Sequence, residues 1–320
     1  MIRHTPYELL EKGQITQDQF ERIEEITSGK VVSVFYELRT LLYLGVMLFT
    51  TGAGLLIYQN IGELGHLISI ILLSITMIAC FWYVIKYGAN YSNENVTPPT
   101  PYFDYVLLAG ALLFVSIQGY LQFQYSTFDE HLGWSTLITA AFFFYLAYRY
   151  DHLGILSLAI TALASFWSIS VSPQKWYSNE FFSDSNLHIT AIVFSVIVGG
   201  VAFFLERKQI KRHFSFTYYN FCMLIFFVGS VAGLFIDEHV YLIFAALIFA
   251  GCYFAWYQAS LRKSFLFLLY AFVAGYIATT YLLAETIFDL EPSLWFLYSV
   301  ASCGGFIYFI IKSKHLLKKR

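Results

Sequence analysis

The chain is 320 residues long; only 12% of them are charged, while 58% are hydrophobic and 20% aromatic. A soluble domain carries about 25% charged residues, so most of this surface must meet lipid or other helices, and an all-α membrane protein is expected. The formal net charge of −2 excludes the basic footprint that nucleic-acid binding requires.

Residues 1–39 are polar and form a soluble head. No early apolar run is followed by a small-residue cleavage site, so the first apolar segment is expected to stay in the membrane. Tyr7–Lys12 reads as a short helix stopped by Gly13. Thr16 then serves as an N-cap with Gln19 three residues on, and Ile15 and Phe20 form the hydrophobic staple around that capping box. Phe20, Ile23 and Ile26 line one face, which Leu9, Leu10 and Ile15 can cover. Such a helical hairpin is too small for a core of its own. It is expected to dock on the membrane domain, on a second copy or on a protein partner, with Ile15, Phe20 and Ile23 as the docking candidates. Glu21, Glu24 and Glu25 deny it a basic recognition face.

Crossing about 30 Å of hydrocarbon takes roughly 20 apolar residues in a helix. Ten segments fit, at 40–58, 64–85, 104–122, 132–148, 153–171, 187–205, 217–236, 240–260, 265–284 and 294–311, the fourth being the shortest. The sequence therefore predicts a cytoplasmic hairpin at 1–39, a ten-span bundle at 40–311 and a basic cytoplasmic tail at 312–320. With the N-terminus inside, every one of the 19 Lys and Arg residues except Lys175 falls on the cytoplasmic side. That is the asymmetry expected of an N-in, C-in multi-pass protein. The outer loops instead hold Glu63, Asp129, Glu130, Glu180, Asp184, Asp237, Glu238, Glu285, Asp289 and Glu291.

The spans contain no Lys, Arg, Asp or Glu apart from Asp104 at a boundary, where it reads as a helix N-terminal acid facing the macrodipole. Intramembrane charges mark ion paths and proton relays, so a proton pump or ion-coupled transporter is disfavoured. All six prolines lie outside the spans, which removes one usual source of broken transporter helices. Small residues four apart recur, at Thr50/Gly54, Ser195/Gly199, Gly229/Gly233, Gly251/Ala255, Ala271/Gly275 and Ala301/Gly305. They fit close helix packing in lipid. The four cysteines, Cys80, Cys222, Cys252 and Cys303, are widely spaced and read as small packing residues.

A hairpin repeat is suggested by three outer turns that combine an acid with a histidine. These are Glu63 with His66, Asp129-Glu130-His131, and Asp237-Glu238-His239. An aromatic follows each histidine 17 positions on, at Tyr83, Tyr148 and Trp256. Counted from the two D-E-H turns, Tyr145–Tyr148 aligns with Tyr253–Trp256. Copies offset by an even number of spans lie in parallel. If His66, His131, His188 and His239 converged with Glu63, Asp129, Glu130, Asp237 and Glu238, imidazole and carboxylate could bind a transition metal or act in acid–base chemistry. The same residues equally suit polar caps at a membrane interface, and no cofactor is expected.

One stretch resembles a known family. Leu9-Leu10-Glu11-Lys12-Gly13-Gln14-Ile15-Thr16-Gln17-Asp18-Gln19-Phe20 is similar to the L-x-x-G-x-I-[ST]-x-x-Q opening of bacterial predicted membrane proteins, domain of unknown function 2157. That family follows its head with a Gly-rich first span ending in Asn-Trp. The corresponding residues here are 44–60, ending in Asn60, with Ile61 in place of the Trp. The specific similarity covers residues 7–61, and the later spans match only as a hydrophobic array. The resemblance implies a multi-pass protein of the bacterial cytoplasmic membrane and carries no activity with it. The reading is a non-enzymatic scaffold or sensor with a docking head. The alternatives are a transporter or channel for a small or lipid-like molecule, with Gln118, Asn220 and Gln258 lining a path, and an enzyme or metal site at the outer face.

Overall fold

A computed structural model describes residues 16–17, 20, 35–59, 63–125, 132–171, 185–236, 240–285, 298–302 and 304–305. Within them run α1 (Phe35–Gln59), α2 (Glu63–Tyr87), α3 (Phe103–Tyr125), α4 (Leu132–Tyr150) and α5 (Leu153–Val171). After these come α6 (Ser185–Lys208), α7 (Phe214–Ile236), α8 (Tyr241–Arg262) and α9 (Phe265–Leu283). Helix is the expected outcome, because in lipid every backbone amide must be satisfied within its own segment or by a closed barrel.

Among the described residues, six stretches are long and apolar enough to cross a membrane: Ile68–Tyr87, Phe103–Gln122, Leu187–Lys208, Phe214–Ile236, Tyr241–Arg262 and Phe265–Leu283. Three more of the expected spans are helical at the expected places. In α1 and α5 the apolar stretches are shorter, Thr40–Gly52 and Leu153–Ile169. In α4, Tyr145, Tyr148, Arg149 and Tyr150 dilute the apolar character. The expected tenth span lies outside the described residues except for helical residues at 298–302 and 304–305. Asp104 sits in the first turn of α3, where an acid faces the positive end of the helix dipole.

The chain forms two compact units. The first comprises Met1–Trp82 and Tyr105–Ser116, the second Tyr83–Asp104 and Ile117–Arg320. In the first unit, Leu107 and Ala111 are fully buried, and the backbone at Gly110 lies against Cys80 and Phe81. Tyr43 and Tyr105 meet with ring centroids 5.0 Å apart. Of the head, Phe20 is buried at 6% exposure, and its N–H donates to the Thr16 carbonyl at 2.9 Å, a helical turn starting where the capping box predicts. Ile15 and Ile23 lie outside the described residues.

In the second unit α7 is the hub: α5, α6, α8 and α9 all pack on it. Small residues allow this. A Cβ on Gly229 would stand 3.0 Å from Ala191 and from the His188 carbonyl of α6, and one on Gly233 would stand 2.5 Å from the Phe244 ring of α8. Gly199 similarly admits Cys222, and Gly251 admits Phe226. The Cys252 thiol donates to the Ala271 carbonyl at 3.1 Å, joining α8 to α9. Polar pairs add to the packing. Gln118 donates to the Ser135 carbonyl at 2.7 Å and accepts from Thr139, Tyr270 donates to Asn220 at 3.1 Å, and Tyr148 pairs with Tyr218 at 3.0 Å. Such bonds in lipid contribute about 0.6 kcal/mol each. Gln118 and Asn220 therefore hold helices together.

Gly233→Ala should lower stability by about 1–3 kcal/mol, because the buried Phe244 ring cannot swing clear. Gly200 has open space around its Cβ position, so Gly200→Ala should be neutral or gain up to about 1 kcal/mol in the helix interior. Thermal unfolding in detergent of the two variants beside the parent checks both. An equal loss in the two would show that glycine packing on α7 does not discriminate between them.

Candidate functional site

The chemistry in the second unit gathers at one end of the bundle, where the 88–102 connection, the α4–α5 turn, the α6–α7 turn and the end of α8 meet. The helix ends explain how. The N–H of His152 donates to the Ala147 carbonyl at 3.2 Å, that of Ile210 to Leu205 at 3.1 Å, and that of Ser264 to Ala259 at 3.2 Å. These six-residue closures end α4, α6 and α8 by the same device, which needs a left-handed residue at the turn. Glycine usually fills it. Here Asp151 (φ 61°), Gln209 (φ 57°) and Lys263 (φ 53°) do, and Lys211 (φ 44°) adds a fourth left-handed residue. Each costs about 1–2 kcal/mol over a right-handed conformation, somewhat less for Asp. Strain of this kind persists where surrounding contacts over-determine it.

At Asp151 those contacts are ionic. Its side chain is 1% exposed and that of Lys211 is fully buried, with Lys211 Nζ 3.0 Å from Asp151 Oδ1. The Nε2 of His213 is hydrogen-bonded to the same oxygen. The Val96 N–H donates to Asp151 Oδ2 at 2.6 Å. Two further bonds hold the 88–102 connection: the Lys211 N–H donates to the Asn93 carbonyl at 3.2 Å, and Arg149 Nη1 donates to the Ala89 carbonyl at 2.7 Å. Lys211 Nζ also lies 5.3 Å from the Tyr91 ring centre. One buried carboxylate thus ties three connections together.

Beside this cluster the second ion pair forms at the ends of α6 and α8. Arg262 Nη2 donates to Glu206 at 2.7 Å, Nη1 to Ser215 Oγ at 3.2 Å and Nε to Gln258 Oε1 at 3.2 Å. Its guanidinium carbon sits 4.5 Å from the Tyr219 ring centre. Arg262 and Glu206 border a cleft of about 930 Å³ together with Asn93, Glu94, Asn95, Gln209, Arg212 and His213. Deeper in, a second cavity of about 560 Å³ is lined by Ser195, Val196 and Gly199 of α6, Cys222, Met223, Phe226 and Phe227 of α7, and Ala250, Gly251 and Phe254 of α8. Phe203, Tyr219, Tyr257 and Gln258 line both, so a polar mouth passes into an apolar slot. α7 is the floor and α6 and α8 are the walls. From Ser195 to Phe203 the slot follows α6 for about 12 Å at 1.5 Å per residue, within half of a hydrocarbon core about 30 Å thick.

The outer-face candidates are placed only in part. His131, Asp129, Glu130, Asp237, Glu238 and His239 lie outside the described residues, as do the side chains of Glu63 and His66. His188 is 3% exposed and packs edge-on against Phe244 with centroids 5.0 Å apart. Among the described residues no group of three or more His, Cys, Asp or Glu could hold a metal ion. Of the polar span residues, Gln258 alone among the three proposed path residues lines the cleft. The alignment of Tyr145 with Tyr253 maps Asp151 onto Ala259, four residues before the left-handed cap Lys263, so those two hairpins end a helical turn apart.

The basic-end site carried a signal that sequence reading passed over. The loops expected to be cytoplasmic are defined in the sequence by their Lys and Arg residues, and the acids among them, Glu94, Asp151 and Glu206, have no role in that pattern. Asp151 stands in the short α4–α5 connection, and its side chain is buried against Lys211 and His213. No spacing rule names Lys211, sixty residues away, as its partner.

Long apolar helices packed through small residues define an integral membrane protein of the helical-bundle class, seated in a lipid bilayer. Within that class, the family model described as predicted membrane protein (DUF2157) matches residues 7–156, just under half of the chain, so the resemblance read over 7–61 extends through α4 to the start of α5. No curated protein and no solved structure matches the chain.

Asp151→Asn alone should cost about 3–5 kcal/mol, because it strands the buried Lys211 ammonium. Asp151→Asn combined with Lys211→Met should recover a good part of that loss. A double-mutant cycle by thermal unfolding in detergent measures the difference, and strictly additive losses would show that the pair does not act as a unit.

Proposed function

We propose that this protein is a non-enzymatic membrane sensor that takes a lipid-like amphiphile from the cytoplasmic leaflet into the α6–α7–α8 cleft. The single observation that carries this is the continuity of a charged mouth with an apolar slot through Phe203, Tyr219, Tyr257 and Gln258. A polar ligand would fill only the mouth, and a hydrocarbon only the slot. An amphiphile satisfies both, and the reach of the slot suits a chain from one leaflet. The cytoplasmic side follows from the charge asymmetry, since the mouth lies among Arg149, Arg207, Lys208, Lys211, Arg212, Arg262 and Lys263. The ten-span, N-in and C-in arrangement belongs to the same reading, as does a bacterial cytoplasmic membrane.

Ala250 is exposed and lines the slot, so Ala250→Phe should fill it without disturbing the core. Native mass spectrometry of the full chain released from detergent micelles should show retained lipid in the parent and loss of most of it in the variant. Equal retention would sink the reading. Reporter fusions after residues 90, 151, 210 and 320 should all report the cytoplasmic side, and any periplasmic signal among them would overturn the topology.

A second reading is a scaffold whose head, residues 1–39, docks a protein partner or a second copy through Ile15, Phe20 and Ile23. The burial of Phe20 within this chain supports a head that is already anchored at that residue. Deletion of residues 1–39 with unchanged pull-down of partners and unchanged oligomeric state would remove it.

A further inference from the structure

The charges at the mouth are not all spent, and those left over point to a ligand class. Glu206 is taken up by Arg262 at 2.7 Å, and Asp151 by Lys211 and His213. Two remain. Arg212 and Glu94 are exposed, both line the cleft, and neither side chain has a hydrogen bond or ion-pair partner among the described residues.

Their positions are fixed by the buried cluster and not by their own contacts. Glu94 lies between Asn93, whose carbonyl accepts from the Lys211 N–H, and Val96, whose N–H donates to Asp151. The Glu94 N–H is held by Ser92 Oγ at 3.1 Å. Arg212 is flanked by Lys211 and His213, the two partners of Asp151, and its carbonyl accepts from Ser215 Oγ at 2.7 Å. One buried carboxylate therefore holds both rims of the mouth, one bearing an unpaired anion and the other an unpaired cation. An Arg presents five N–H donors, and Arg262 makes three bonds from its three nitrogens, which leaves it donors for a ligand oxygen beside Arg212.

We propose that the occupant is a zwitterionic membrane phospholipid with a primary ammonium group, a deduction that rests on the amphiphile reading above. Its phosphate lies on Arg212 with Arg262 behind it, its ammonium on Glu94, and one acyl chain in the slot. A guanidinium and a phosphate form a charge-assisted, fork-like pair. A primary ammonium donates three hydrogen bonds and can pair with a carboxylate, whereas a quaternary ammonium has no N–H to give. A purely anionic headgroup would leave Glu94 facing its own sign.

The test uses the full chain in detergent and three probes of matched acyl chains: phosphatidylethanolamine, phosphatidylglycerol and phosphatidylcholine. Retention is read by native mass spectrometry, with thermal unfolding to confirm that each variant is folded. The parent should prefer phosphatidylethanolamine to either of the others by about tenfold, the order that one charge-assisted contact supplies. Glu94→Gln should erase the preference over phosphatidylglycerol. Arg212→Gln should weaken all three probes, and Arg212→Lys should restore part of the loss. Equal binding of the three probes by the parent, or an unaltered preference in Glu94→Gln, overturns the assignment of the headgroup. Displacement of the bound lipid by millimolar inorganic phosphate overturns it too, because the headgroup anion alone would then be what is recognised. If binding responds to Ala250→Phe but not to Glu94 and Arg212, only this inference fails. If it responds to none of them, the amphiphile reading fails with it.

Discussion

The second unit depends on a carboxylate that has no access to water. Asp151 is 1% exposed, and an isolated ion in such a place would be strongly disfavoured. Its two oxygens are instead occupied by an ammonium and an imidazole from the α6–α7 turn and a backbone N–H from the 88–102 connection. Buried pairs of this sort often add little net stability over an apolar substitute. They do fix geometry, since each partner has one place to be. The left-handed conformations of Asp151 and Lys211 are a cost of that arrangement. They persist because relaxing either residue would uncouple a buried charge.

Helix packing below the cluster follows a different rule. In lipid there is no hydrophobic drive between helices, so contact depends on how closely backbones can approach. Glycines on α7 face α6 and α8, and these two neighbours pack on α7. Large side chains such as Phe203, Phe254 and Tyr257 then stand along the walls as exposed aromatics, and the space between is the slot. A close-packed floor and bulky walls thus produce a cavity without a proline or a broken helix. The ionic cluster sits beside the mouth of that cavity, which its His213 lines. It connects the strained turns to the rim residues Glu94 and Arg212, which it places without touching their charges.

Much of the fold was legible in the sequence because membrane helices obey one-dimensional rules. Apolar runs set the helices, and α2, α3 and α6–α9 fall where those runs predict. The small residues at Gly199, Gly229, Gly233 and Gly251 were read as packing positions, and the structure places each against a neighbouring side chain. The same spacing at Ala301/Gly305 marks no close neighbour at Gly305 among the described residues. Spacing shows that an approach is permitted, not that another helix uses it. Gln118 and Asn220 illustrate a related limit. Each is a polar residue in an apolar run, and only the neighbouring Ser135, Thr139 and Tyr270 decide that it bridges helices.

The sequence by itself determined that the chain is a bundle of apolar helices in a membrane. These properties are sums over local composition and helix period, so no knowledge of distant contacts is needed. Only the tertiary structure decided that Asp151, Lys211, His213 and Val96 meet, that α6 and α8 flank α7 with a slot between them, and that Glu94 and Arg212 stand at its mouth without a partner among the described residues. Those facts join residues from connections as far apart as Glu94 and Arg262. Coulomb attraction and packing act through space, and neither the distance along the chain nor any local motif records which charges will be brought together and which left over.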